Sequence, residues 1–352
     1  MDIDYLRKHV HQKLEPVQTW TSPNWLSRHP ANPVLSSKDV PYNSHLVFNC
    51  SVLKEDRYRI IFRNDYYPNL AEGIGGGVET TFGYGESDDG IAWTVTPEPV
   101  LDYKTDYVRR LYDPRVIPIE GTYYLTACAA TPDGPRATLH SSPDLRHFDF
   151  LDMSLPQSRN TLLFPEKING YFYRLERPMW SAIDSIYVKR ANAWIGNTFD
   201  IWVSRSPDLL HWGAPENLVR TKDIPYANIK IGPGAPPIKT DKGWLLLIHG
   251  VDFDPSRGKN GWEPHWRCVY HAGVALTDLE QPWKLIGLGR TPLITPEAEY
   301  ETSGGYRNNV IFPMTGIVQD DGEVWIYYGA ADTTICLATA KLADLLDMCR
   351  PV

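Results

Sequence analysis

A small set of charged residues stands where charge is costly. Asp113 lies in Leu111-Tyr112-Asp113-Pro114-Arg115-Val116, just ahead of an apparent strand. Arg159 and Asn160 lead into the apolar stretch 161–164, with Glu166 and Lys167 just after it. Arg174 and Arg177 lie in Tyr173-Arg174-Leu175-Glu176-Arg177-Pro178, and Lys230 opens Lys230-Ile231-Gly232-Pro233-Gly234-Ala235-Pro236-Pro237. His249 closes the apolar run 244–248, and Asp332 follows Tyr327-Tyr328-Gly329-Ala330-Ala331. A charge set in an apolar run tends to be buried with it, and buried charge needs partners. The set is rich in Arg and Lys, although the chain as a whole carries 35 Lys and Arg against 43 Asp and Glu, a formal charge of -8. Guanidinium forks grip tetrahedral oxyanions through paired hydrogen bonds, so such a set in an acidic protein describes a phosphate or carboxylate pocket. Asp113 is the candidate for a working carboxylic acid; the competing reading is an aspartate capping a turn before proline. No Ser-His-Asp order and no His pair at zinc spacing stands out. Neither Gly73-Ile74-Gly75-Gly76-Gly77 nor the glycines around Pro233 open a helix, which excludes a dinucleotide or P-loop site.

The elements that must position these residues read as short strands. Residues 58–62, 123–128, 199–204, 244–248 and 324–328 are rich in β-branched and aromatic side chains and bounded by Gly, Asp or Pro. Helical periodicity is confined to 3–14 and 342–348. Twelve Trp, 20 Tyr, 10 Phe, 29 Pro and 26 Gly suit an all-β protein with many turns.

One element recurs. Ser87-Asp88-Asp89-Gly90-Ile91-Ala92-Trp93 matches Ser142-Pro143-Asp144-Leu145-Arg146-His147-Phe148 and Ser206-Pro207-Asp208-Leu209-Leu210-His211-Trp212. Weaker echoes are Thr277-Asp278-Leu279 and Lys341-Leu342-Ala343-Asp344-Leu345. A second echo is a hairpin turn before a Tyr- or Trp-rich strand, at Gly121, Gly170, Gly243 and Gly322. Five units of about 65 residues, each with several strands, specify a five-bladed β-propeller rather than a two-sheet sandwich. Residues 1–30 are expected to form a short N-terminal helical extension and 31–352 the propeller. Functional residues should then come from separate blades and meet in the central channel.

Composition excludes several classes. The acidic balance argues against nucleic-acid binding, and no apolar stretch has the length of a membrane helix. The polar N-terminus lacks a signal-peptide core. Five scattered cysteines, with no CxxC pair, indicate neither a zinc cluster nor a disulfide framework. A cytoplasmic protein is expected. The apolar face of Leu6, Val10 and Leu14 suggests packing on the propeller or on a second subunit of a homo-oligomer.

Four linked segments resemble glycoside hydrolase family 130, the β-mannoside phosphorylases and related mannosidases. They are Tyr112-Asp113-Pro114-Arg115-Val116, Leu163-Phe164-Pro165-Glu166-Lys167-Ile168-Asn169-Gly170, Lys230-Ile231-Gly232-Pro233-Gly234-Ala235-Pro236-Pro237 and Tyr328-Gly329-Ala330-Ala331-Asp332-Thr333. The resemblance implies a five-bladed β-propeller and inverting phosphorolysis of a β-mannoside to α-mannose 1-phosphate, with phosphate as co-substrate and neither cofactor nor metal. It implies Asp113 as catalytic acid. Arg159, Asn160, Arg177, Lys230, His249 and Tyr270 match phosphate-holding positions, and Asn49, Arg63, Asp65 and Asp332 match the mannosyl subsite. An inverting hydrolase would need a second carboxylate to activate water, whereas phosphate needs only cations to hold it. The alternatives are a β-mannosidase on the same fold and a non-catalytic glycan-binding propeller. Cys50 departs from the family pattern, and 181–193 and 252–266 read as insertions over the pocket, with Trp262 and Trp266 as acceptor-stacking candidates. Linkage, β-1,4 or β-1,2, stays open.

Overall fold

The computed structural model describes residues 17–68, 77–179, 199–253, 261 and 266–352. Its strands form five antiparallel sheets arranged as the blades of a propeller. The first blade is Leu46–Lys54, Tyr58–Tyr66, Glu79–Ser87 and Thr94–Val95, from the inside outward. The second is Arg110–Ile119, Thr122–Thr131, Gly134–Ser142 and Asp149–Met153, and the third Ser158–Leu163, Phe172–Pro178, Ile201–Ser206 and Gly213–Val219. In the fourth, Lys230–Pro233 and Ile238–Thr240 share Gly243–Phe253, followed by Cys268–Thr277, Leu285–Leu288 and the C-terminal Arg350–Pro351. The fifth is Ile311–Val318, Glu323–Ala330 and Thr334–Lys341, and its outermost strand, Ser27–Arg28, comes from the other end of the chain.

The core lies in the seams between blades. Leu245, Leu247, Ile311 and Ile326 fill the fourth-to-fifth seam, Val52, Phe62, Tyr327 and Leu337 the fifth-to-first, and Ile61, Tyr84, Val116 and Leu125 the first-to-second. Each sheet is covered on both faces, which is why Trp244-Leu245-Leu246-Leu247-Ile248 is apolar without alternation and no more than 1% exposed throughout.

The repeated turn is a side-chain device. Asp89 Oδ1 accepts from the amides of Ile91 (2.8 Å) and Ala92 (2.9 Å). Asp144 does so from Arg146 and His147, Asp208 from Leu210 and His211, and Asp278 from Glu280 and Gln281, all at 2.9–3.0 Å. The fifth echo is different: Asp344 lies in the helix Leu342–Met348, which the periodicity had indicated. A short helix at Glu299–Thr302 carried no sequence signal.

The ring closes through Ser27–Arg28, paired with Thr339 and Ala338. Arg28 donates to both oxygens of the fully buried Glu301, at 2.7 and 3.0 Å, and to Glu297 at 3.0 Å. Glu301 also accepts from the Tyr328 hydroxyl at 2.7 Å. The expected extension thus contributes a strand to the fifth blade. Residues 3–14, with Leu6, Val10 and Leu14, lie outside the described residues, as does 181–193. Among the described residues no helix is long and apolar enough to cross a membrane.

Candidate active site

The inner strand of each blade carries a one-level irregularity, and that irregularity builds the site. In the first three blades the register slips at Phe48/Cys50, Tyr112/Arg115 and Arg159/Leu162. The residues at the slips, Asn49, Asp113 and Asn160, have φ of 52°, 58° and 57°. Asn and Asp tolerate this left-handed conformation best among residues with a Cβ. A bulge re-aims the side chain it carries. Asp113 therefore lies within a strand rather than ahead of one, and the bulge, not a proline turn, sets its direction. In the fourth blade the inner strand is interrupted between Pro233 and Ile238, and in the fifth the register slips between Pro313 and Thr315.

Asp113 is 6% exposed. Its Oδ1 accepts from the Asn49 amide at 2.8 Å and from Arg63 Nη1 at 3.0 Å. Arg63 in turn grips Asp65 with two bonds of 2.9 and 2.5 Å, and Thr80 donates to Asp65 at 2.7 Å. The Arg63 guanidinium lies over Phe48 at 4.3 Å and Tyr112 at 5.3 Å. Burial pushes the Asp113 carboxyl up, but Arg63, Arg115 and Arg159, with the Asn49 amide, outweigh it and hold the group below its ordinary value. Asp332, at φ 47° in the turn after Glu323–Ala330, is 3.2 Å from Arg307. Burial raises its carboxyl, and Arg307 only partly offsets this.

The cations come from the third and fourth blades. Arg159 and Arg177 are opposite each other across two strands. Arg177 Nη1 donates to His249 Nε2 at 3.2 Å, which leaves the imidazole proton on Nδ1. His249 is in the middle of Gly243–Phe253, not at a strand end, and faces Gly232. A Cβ on Gly232 would fall 2.5 Å from the imidazole and 2.9 Å from Arg177, so this glycine is required where the two meet. His249 stacks on Tyr270 at 5.8 Å, and the Lys230 ammonium lies over the same ring at 5.1 Å. Burial and the neighbouring cations press Arg177, Lys230 and His249 toward their neutral forms, whereas Arg159 is held above its ordinary value against burial by Tyr112, Cys128 and Asp113 beside it. Burial, with Arg159 beside it, pushes Arg177 down to about 10; burial, with Arg177, pushes Lys230 down to about 7 and His249 well below its ordinary value. Nε of Arg159 and of Arg177 has no hydrogen-bond partner among the described residues. Such donors, buried and convergent, suit an oxyanion.

Ten of the eleven residues that the resemblance implies fall in these two adjoining groups, and Asn160 is the bulge residue beside Arg159. Glu166 and Lys167 do not: they pair with Lys239 and Glu120 at the surface. Arg174 pairs with Glu176 and lies over Trp212. Arg115 was not singled out by sequence. It crosses the channel, donating to Gly234 O at 2.7 Å and to the Asp113 carbonyl at 3.1 Å, and lies over Phe312 at 5.6 Å. Its sequence signal was an arginine inside the same apolar run as Asp113. Trp266, 9% exposed, stacks on Tyr270 at 5.7 Å and lies under Arg307 at 4.7 Å, so it braces the rim rather than offering an open platform. Trp262 lies outside the described residues, as does most of 252–266. No group of three His, Cys, Asp or Glu able to hold a metal occurs among the described residues.

The family model described as beta-1,4-mannooligosaccharide phosphorylase matches residues 20–351. The chain belongs to glycoside hydrolase family 130. Within the family, the 1,2-beta-oligomannan phosphorylase of Thermoanaerobacter sp. (strain X514) is 30% identical over 91% of this chain and 98% of its own length. The Beta-1,4-mannooligosaccharide phosphorylase of Ruminococcus albus is 30% identical over 91% of this chain and 89% of its own. The solved Beta-1,2-Mannobiose phosphorylase from Listeria innocua superposes with a TM-score of 0.75 over 92% of this chain and 99% of that one, at 24% identity, the same propeller fold. This family 130 protein is an enzyme of the phosphorolytic class.

Proposed function

We propose that the protein is an inverting β-mannoside phosphorylase that converts a β-linked mannoside and inorganic phosphate into α-mannose 1-phosphate and a shortened acceptor. The observation that carries this reading is the pairing of one buried carboxylate, Asp113, with a separate cluster of Arg159, Arg177, Lys230 and His249. Relatives with β-1,2 and β-1,4 names are about equally similar to the chain, which supports a β-mannoside without choosing between the linkages.

The chemistry follows from where charge sits. Phosphate is a ready nucleophile, so the protein has to hold it against the anomeric carbon rather than activate it. Arg159, Arg177 and Lys230 supply positive charge, Asn160 an amide, and Tyr270 a stacking wall for His249 and Lys230. Asn49, Arg63, Asp65 and Asp332 bind the mannosyl hydroxyls. In the free protein the surrounding cations keep Asp113 ionised. Phosphate bound among the same cations offsets their field, so the Asp113 carboxyl takes up a proton from solvent and delivers it toward the leaving oxygen, while the proton of the attacking hydrogen phosphate returns to solvent. The hydrolytic reading needs a carboxylate placed to activate water; of the neighbouring carboxylates, Asp65 is committed to Arg63 and Asp332 to Arg307.

The test is release of mannose 1-phosphate from β-1,4- and β-1,2-mannobiose with and without inorganic phosphate. Phosphate-dependent mannose 1-phosphate is expected, with the faster substrate identifying the linkage. Free mannose released at the same rate without phosphate would refute the proposal.

A further inference from the structure

One half-buried cation near the site belongs to neither group. Arg110 is the first residue of the second blade's inner strand, Arg110–Ile119. Leu46 and Lys230 open the inner strands of the first and fourth blades in the same way, so Arg110 stands at the channel mouth, three positions ahead of Asp113.

Its guanidinium is buried at Nε and Nη1, and neither atom has a hydrogen-bond partner among the described residues. Its neighbour is the Tyr112 ring at 5.8 Å, which also lies against the guanidinium groups of Arg63 and Arg159. The nearest carboxylate, Asp65, already accepts two bonds from Arg63 and one from Thr80. Burial and the Arg63 charge both press on Arg110 and lower its proton affinity. A desolvated guanidinium whose counter-charge is taken up by another arginine is poorly compensated, and a carboxylate or phosphate group relieves it with paired hydrogen bonds. Inorganic phosphate does not meet that need, because Arg159, Arg177 and Lys230 belong to the third and fourth blades whereas Arg110 borders the first. What reaches the mouth beside the mannosyl subsite is the acceptor sugar.

We propose that the acceptor of this enzyme is an anionic sugar, a uronic acid or a sugar phosphate, whose charged group Arg110 binds. The inference rests on the phosphorylase reading above and specifies its substrate class.

The experiment runs the reaction in the synthetic direction, with α-mannose 1-phosphate as donor and glucose, mannose, glucuronate or glucose 6-phosphate as acceptor. We expect glucuronate or glucose 6-phosphate to exceed glucose at least tenfold in kcat/KM, the better of the two identifying the anion. In Arg110→Gln that ratio should fall to within about twofold, and Arg110→Lys should retain part of it. Neutral acceptors used as well as both anions, or a preference that survives in Arg110→Gln, would overturn the proposal while leaving the phosphorylase intact. No transfer to any acceptor would count against the phosphorylase itself. Calorimetric binding of glucuronate and glucose 6-phosphate then decides: equal affinity for the wild-type protein and Arg110→Gln overturns the proposal, and a tenfold loss upholds it.

Discussion

Lys230 gives the phosphate site a pH dependence of its own. Burial, with Arg177 beside it, brings the ammonium down to about 7 in the free protein. The charged form is the one that attracts phosphate, and bound phosphate keeps it charged to higher pH. Affinity is therefore full below pH 7 and falls as pH rises, by up to about tenfold per unit. Between pH 7.5 and 9 the charged fraction of a group titrating at about 7 drops about twentyfold, worth ~2 kcal/mol. Phosphate is already a dianion over most of that window, and Arg177, at about 10, stays charged. The assay is initial rates of mannose 1-phosphate release at saturating mannoside, with phosphate varied at four pH values. The KM for phosphate should climb about ten- to twentyfold in the wild type. Lys230→Met should start high, stay flat and meet the wild type near pH 9. A wild-type KM constant within twofold, or a Lys230→Met KM that climbs in parallel, would refute the reasoning.

Asp113→Asn keeps the shape of the site but has no proton to deliver, so kcat should fall by roughly 10²–10⁴ with mannoside binding retained in calorimetry; loss of less than tenfold would remove Asp113 from the acid role. Arg28→Ala strands Glu301 in the core and should cost about 3–5 kcal/mol in urea unfolding; a cost under 1 kcal/mol would mean that the clasp does not hold the ring. His140, fully buried against Tyr103 and Phe150, is lowered by burial to about 4. Its depressed value means that stability is full above the ordinary pKa of about 6.5 and is lost as pH falls from there toward 4, by up to ~3 kcal/mol. His140→Phe should flatten that part of the stability profile, and an unchanged acid limb would assign it to other groups.

Much of the architecture was legible because the repeated turn is local: an aspartate that accepts from amides two and three residues ahead leaves a similar short string in four of the five blades. Asp344 escaped that logic because an aspartate in the first turn of a helix occupies a similar string. The inner-strand bulges were not legible, since Phe48-Asn49-Cys50 and Tyr112-Asp113-Pro114 share a backbone slip and no common sequence. Arg115 was missed for a related reason: its partner, Gly234, is 119 residues away and on a different blade. His249 read as a strand end because a polar residue and a glycine followed five apolar ones. Gly250 instead makes room for Tyr226, whose ring would lie 2.7 Å from an added Cβ, and the strand runs on.

Ring closure has a consequence for synthesis. Ser27–Arg28 leaves the ribosome early, yet its partners Thr339 and Ala338 are made about 310 residues later. At translation rates of about 5–20 residues per second, the seam stays open for ~15–60 s. Through that interval Ser27–Arg28 stays unmatched while the inner strands of all five blades are made, and the seam closes only once Thr334–Lys341 has emerged.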